Sequence, residues 1–128
     1  MNTSDSRMKS YQDLIVWRKG IDLVEEIYSL TMYLPNSEKY GLIPQMRRSA
    51  ISIPANIAEG WGRKSTGNFI QYLNISSGSL AELMTQLEIV KRLKLVDLSE
   101  ITKSESLGIE ISKMLFVLIK NLEKRTRV

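Results

Sequence analysis

Apolar residues recur along the chain at steps of three and four in four segments, with short polar breaks between them. The first segment spans about Gln12 to Leu34. Leu14, Trp17, Ile21, Val24, Tyr28 and Thr31 form one series; Val16, Gly20, Leu23, Ile27, Leu30 and Leu34 form another beside it. Both have the period of a helix face. Together they are wider than the ~100° stripe of an ordinary surface helix. One core absorbs one seam, so the second predicts a partner surface. Pro35 then stops the helix and Asn36-Ser37 opens a turn.

The second segment runs from about Lys39 to Trp61, with Pro44 suited to its first turn. Met46, Ala50, Ile53, Ile57 and Trp61 read as its core face, and Gly60 and Gly62 weaken its end. Ser65 or Thr66 is positioned to cap the third segment. There Phe69, Leu73, Ser76, Leu80, Leu83, Leu87 and Val90 make a heptad seam. The small residues at its centre, Ser76 to Ala81, predict a close helix approach around Gly78. Asp97 or Ser99 is placed to cap the fourth segment, whose seam is Ile101, Ser104, Gly108, Ile111, Leu115, Leu118 and Leu122. Four helices, short loops and no alternating strand pattern predict an all-α, antiparallel up-and-down four-helix bundle over residues 11–125, after a disordered tail at 1–10.

The stretch Gln45 to Arg63 reads QMRRSAISIPANIAEGWGR. An interior proline removes one N–H and clashes with the carbonyl four residues back. A kink near Ala50 to Pro54 follows, with Ser52 available to bond a freed carbonyl. Sorted by angle, Ile51, Pro54, Ala55 and Ala58 form a flat face of small residues. Gln45, Arg48, Ser52, Asn56, Glu59 and Arg63 form a polar stripe beside it, in which Glu59 and Arg63 are spaced for an ion pair. A flat apolar face beside ordered polar groups suits a subunit contact. The candidate oligomer interface is therefore Ile51, Ser52, Pro54, Ala55, Asn56, Ala58 and Glu59.

The chain has 128 residues, no Cys and no His. That removes the usual zinc, iron–sulfur and haem ligands and any Ser-His or Cys-His nucleophile pair. Di-metal bundle sites use Glu-x-x-His motifs, which cannot be built here. Glu59 with Arg48, and Glu82 with Glu88, are the remaining acid–base candidates; Glu82 and Glu88 are six apart and do not share a helix face closely. The expectation is a protein that is not an enzyme, with no metal and no cofactor. The first ten residues lack the apolar core of a signal peptide, and no apolar run approaches the ~20 residues of a membrane span. A cytoplasmic protein with no membrane partner is expected.

Net charge is +4 but unevenly spread. Between Gln45 and Lys64 four basic residues oppose one acidic; between Lys113 and Val128 five oppose one. Arg47, Arg48, Arg63, Lys64, Lys124, Arg125 and Arg127 are the candidate nucleic-acid contacts. Aromatics are sparse near them in sequence, with Trp61 the one stacking candidate.

Four stretches together resemble a known family: YQDLIVWRKGIDLV at Tyr11 to Val24, EKYGLIPQMRRSAISIPANIAEGWGR at Glu38 to Arg63, FIQYLNISSGSLAEL at Phe69 to Leu83, and KMLFVLIKNL near the end. The chain is similar to the bacterial four-helix-bundle proteins encoded in intervening sequences of 23S ribosomal RNA genes, often labelled ribosomal proteins by mistake. Arg47, Arg48, Ser52, Pro54, Asn56, Glu59, Gly60 and Arg63 match the family's signature. Ser49 stands where Ala is usual, and Trp61 where Phe or Tyr is frequent. The resemblance implies a homopentameric ring with a central channel. It also implies a distant relation to the accessory variability protein of retroelements, a basic pentameric ring that binds nucleic acid and reverse transcriptase. The expectation is a homo-oligomeric scaffold whose partners are itself and RNA, DNA or a nucleic-acid-binding protein. The alternative is a structural oligomer acting as a protein–protein adaptor with no nucleic-acid role.

Overall fold

The computed structural model of the chain describes residues 9–126. Four helices carry the fold: α1 at Ile15–Thr31, α2 at Leu42–Trp61, α3 at Thr66–Arg92 and α4 at Leu98–Thr126. Short 3-10 turns at Tyr11–Asp13 and Asn36–Glu38 precede α1 and α2. No strand occurs among the described residues. Each helix packs on its neighbours in the cycle α1–α2–α3–α4–α1, and α2 with α3 make the most extensive contact.

Cross-helix pairs give the relative directions. Arg47 bonds Thr31 while Pro54 faces Gly20. Ser52 bonds Ser79 while Gly60 lies under Phe69 and Tyr72. Lys91 pairs with Glu105, and Gly108 faces Met84. Lys19 pairs with Glu110, and Glu26 with Lys103. In every case the numbers rise along one helix and fall along the next, so neighbours run in opposite directions.

The seams supply the core. Leu23, Ile27, Met46, Ile53, Ile57, Leu73, Leu83, Leu87, Ile101 and Ile111 are fully buried. The two series on α1 fare differently. Val16, Gly20, Leu23, Ile27, Leu30 and Leu34 are all buried, whereas Trp17, Ile21 and Val24 are only half-buried and Tyr28 is exposed. The bundle thus covers much of the second seam with its own edges.

Ends follow local chemistry. Ser10, assigned by its sequence to the tail, is the N-cap of the first 3-10 turn. Its hydroxyl accepts the Gln12 N–H at 3.2 Å, and the Asp13 carboxylate accepts the Lys9 and Ser10 N–H groups. Leu14 is extended, so α1 begins at Ile15, later than its hydrophobic pattern suggests. Ser65 caps α3 by accepting the Asn68 N–H. α3 ends with Lys94 at φ 56° and a bond from the Leu95 N–H to the Val90 carbonyl, a left-handed cap that favours glycine.

The helix α2 runs through Pro54 without interruption. The proline ring lies against Gly20, where an added Cβ would stand 3.3 Å from the Pro54 Cβ. Ser52 bonds the Ser79 hydroxyl at 2.8 Å, not a carbonyl freed by the proline. Asn56 Nδ2 donates to the Ser52 carbonyl and hydroxyl, and the buried Ser76 hydroxyl donates to the Ile53 carbonyl at 2.7 Å. Polar side chains thus join α2 to α3 around the proline.

Close approach falls at other glycines than the one its neighbours suggest. Nothing lies within 4 Å of a Cβ at Gly78, which is exposed. At Gly60 a Cβ would stand 2.7 Å from the Tyr72 Cβ and 3.3 Å from the Phe69 carbonyl. Gly60→Ala is therefore expected to cost about 1–3 kcal/mol through overpacking. Gly78→Ala should gain about 0.5–1 kcal/mol from helix propensity. Lys94→Gly should gain about 1 kcal/mol by relieving the left-handed backbone. Urea unfolding at neutral pH measures all three; equal effects at Gly60 and Gly78 would contradict the packing described.

Charge pairing sets the pH response. Asp13 is held below its ordinary 3.8, chiefly by the Lys9 N–H and then the Ser10 N–H, and Glu88 below 4.5, chiefly by its bond from Arg92. Lys91 and Lys103 are raised above 10.5, first by hydrogen bonds to Glu105 and Glu26. A lowered carboxyl stabilises the fold above its unfolded value and loses that as pH falls through its folded value. A raised ammonium stabilises below its unfolded value and loses that as pH rises through its folded one. These four groups are solvated, so each effect is small. The expected melting temperature is level from roughly pH 5 to 9 and declines on both sides. Calorimetry across pH checks this; a step near neutrality would contradict it.

Candidate nucleic-acid interface

The basic residues divide between the two ends of the bundle. Arg47 and Arg48 lie in the first half of α2, beside the end of α1. Arg63 and Lys64 follow the end of α2, and Lys124 and Arg125 lie at the end of α4, both at the opposite end. At 1.5 Å per residue, Arg48 and Arg63 are separated by about 22 Å along the axis. Arg127 lies outside the described residues.

Arg47 is fixed. Its Nε donates to the Thr31 hydroxyl at 2.9 Å, and its guanidinium carbon sits 4.3 Å from the centre of the Tyr28 ring. Its terminal nitrogens make no hydrogen bond among the described residues. Thr31 is buried and its hydroxyl donates in turn to the Tyr28 carbonyl at 3.1 Å. Arg48, one residue on, is exposed and has no partner among the described residues. Together with Lys39 they border a surface cleft of about 450 Å³ completed by Tyr28, Ile43, Pro44 and Ile51. The nearby Glu38 carboxylate is engaged at the start of α2, where it accepts the Leu42 N–H at 3.2 Å.

Arg63 is engaged in another way. One terminal nitrogen donates to Glu59 at 2.7 Å and to the Tyr72 hydroxyl at 2.8 Å, and the guanidinium lies over the Tyr72 ring at 5.0 Å. Lys64 and Lys124 are exposed, and Arg125 makes an interaction of its own. Trp61 meets Phe69 edge to face at 6.1 Å and packs against the core. Its position makes it a packing residue, not an open stacking platform. Tyr28 lies beside Arg47 and Tyr40 beside Lys39, and neither was singled out as a stacking candidate from the sequence. Tyr28 lies in the Leu14-to-Thr31 seam of α1, which places it opposite Arg47 once α1 and α2 fold back on each other.

The candidate interface residues on α2 also separate. Pro54 is buried against α1, Ser52 is bonded to Ser79 on α3, and Asn56 donates to Ser52 within α2. Glu59 holds Arg63, just past the end of its helix, and does not meet Arg48 within the chain. Ile51 and Ala55 are exposed and Ala58 half-buried, and these three carry no side-chain hydrogen bond. A larger apolar surface lies on α4 and along its groove with α1. Phe116 is 62% exposed, Val117 55% and Ile15 59%. Leu14, Ile15, Val16, Met114, Val117 and Leu118 line a groove of about 430 Å³ between the two helices, with Lys113 and Asn121 at its rim. The outward apolar series on α4 was the available signal, running beside a seam that already satisfied the core.

Acid–base candidates find other uses. Glu88 pairs with Lys91 and Arg92 on its own helix. Among the described residues no three Asp or Glu side chains gather as a metal site, and no helix is long and apolar enough to cross a membrane.

The sequence model of the 23S rRNA-intervening sequence protein family matches residues 12–117. No curated protein matches the chain. Among solved structures, a protein of unknown function from the S23 ribosomal protein family of Bacteroides thetaiotaomicron is similar at 30% identity. The match covers 83% of this chain and 99% of that one, with a TM-score of 0.77. With the family's sequence matched across all four helices and its fold matched in a solved relative, the chain belongs to the 23S rRNA-intervening sequence protein family.

Proposed function

We propose that the chain is a non-enzymatic, self-associating bundle, a five-membered ring by family resemblance, that serves as a scaffold for nucleic acid or ribonucleoprotein. The observation that carries this is the apolar surface around α4. Phe116, Val117 and Ile15 are large side chains more than half exposed, and beside Val117 and Ile15 lies a groove with an almost wholly apolar lining. Contiguous apolar surface rimmed by polar groups marks a contact site. A ring repeats each basic group, and repeated weak phosphate contacts add through effective concentration.

The same apolar groove also favours the second reading, an adaptor for another protein without nucleic acid. Light scattering separates self-association from that reading. The expected mass is a multiple of 14.6 kDa for the intact chain. Ile15→Asp with Val117→Asp should reduce it to one subunit, because two charges would be buried without partners. If Ile51→Asp with Ala58→Asp dissociates the protein instead, the contact lies on α2. A monomeric wild type would sink the self-association reading.

A further inference from the structure

The cleft where α1 turns into α2 has properties that a solubilising charge cluster lacks. Arg47 is oriented before any ligand arrives, stacked on Tyr28 and bonded through Nε to Thr31, with its terminal nitrogens left over. Among the described residues Arg48 has no carboxylate to answer it, and the Lys39 ammonium has only the Tyr40 ring, 5.6 Å away. Elsewhere on the bundle Lys19, Lys91, Arg92 and Lys103 are each matched by a glutamate. Tyr40 is 87% exposed and Tyr33 62%. One oriented guanidinium and two exposed cations beside the open Tyr40 ring are the ingredients of a single-strand site. Phosphates meet the cations, and unpaired bases stack on the rings without regard to sequence. A duplex keeps its base faces inside the stack, and its regular phosphates are better met by charge spread along a face than by one cleft.

From this juxtaposition we infer that the Lys39–Arg47–Arg48 cleft binds single-stranded nucleic acid, with Arg48 and Lys39 on the phosphates and Tyr40 stacking on a base. This rests on the nucleic-acid reading above and narrows it to one ligand class and one end of the bundle. Ile43, Pro44 and Ile51 supply the apolar floor for a sugar or base.

Fluorescence anisotropy at low salt would compare a labelled single-stranded oligonucleotide of mixed sequence with the duplex of the same length. The single strand is expected to bind more tightly. Tyr40→Ala should weaken it at least about fivefold, the scale of one lost stack. Tyr40→Phe should restore it, since the phenyl face remains. Lys39→Glu with Arg48→Glu should abolish binding, and Lys64→Glu with Lys124→Glu should leave it. These side chains are exposed, and unchanged circular-dichroism melts would confirm folding. Equal affinity for the duplex with no effect of Tyr40→Ala would overturn the inference and leave general polyanion binding standing. So would binding lost only in the Lys64/Lys124 variant. No binding of either oligonucleotide would overturn the nucleic-acid reading as well.

Discussion

The close seat of α2 between its two neighbours is the contact on which the rest of the bundle depends. At one level Pro54 fills the space left by Gly20 on α1, and toward the end of α2 Gly60 lets the helix reach Phe69 and Tyr72 on α3. A side chain on α1 at this level would crowd the proline ring, since even a Cβ at Gly20 would stand 3.3 Å from it. Here the neighbour has none. The polar bonds between Ser52 and Ser79, and between Ser76 and the Ile53 carbonyl, then fix α2 along α3 at the same height. A buried hydroxyl left without these partners would cost more than the bond gains, so the hydroxyls specify one alignment of the two helices.

That seat also decides which groups of the Arg-Arg to Gly-Trp-Gly stretch are available. The proline, serine and asparagine are used inside the chain, and the glutamate is used by the arginine four residues on. What remains outside is Ile51, Ala55 and Arg48. A signature that looks like one site along the sequence is thus mostly the wall between two helices. Its cations are presented separately at the two ends, because a helix of 20 residues puts its first and last turns far apart.

The fold was largely legible. The heptad seams of α3 and α4 gave their core residues almost one for one, because both helices face a single interior and period alone selects the face. The seams placed Gly20 and Gly108 on core faces, where both are buried, but small neighbours did not show which glycine permits close approach. Gly78 stands among small residues yet points to open space, whereas Gly20, Gly60 and Gly108 each oppose a side chain from another helix. Whether a glycine is needed depends on a partner that sequence proximity does not reveal. The cleft was hidden for the same reason. Tyr28 and Arg47 are 19 positions apart and meet only after the hairpin closes. Tyr28 looked like one member of an apolar seam, and its ring serves as the rest for a guanidinium.

Charge completes the division of labour among the helices. The carboxylates of α1 and α4 answer lysines across their shared seam, and Glu105 answers Lys91 between α3 and α4. These pairs are exposed and weak individually, so their main consequence is to cancel charge along those flanks. Cancelling it there leaves the α1–α4 flank with its apolar groove as the dominant feature, suited to protein. It leaves the α1–α2 end with cations that no carboxylate answers among the described residues, suited to anions. An assembly built through the first surface would not need to cover the second. On the proposed reading, copies would join along the side of the bundle while its end remained open to a chain of phosphates.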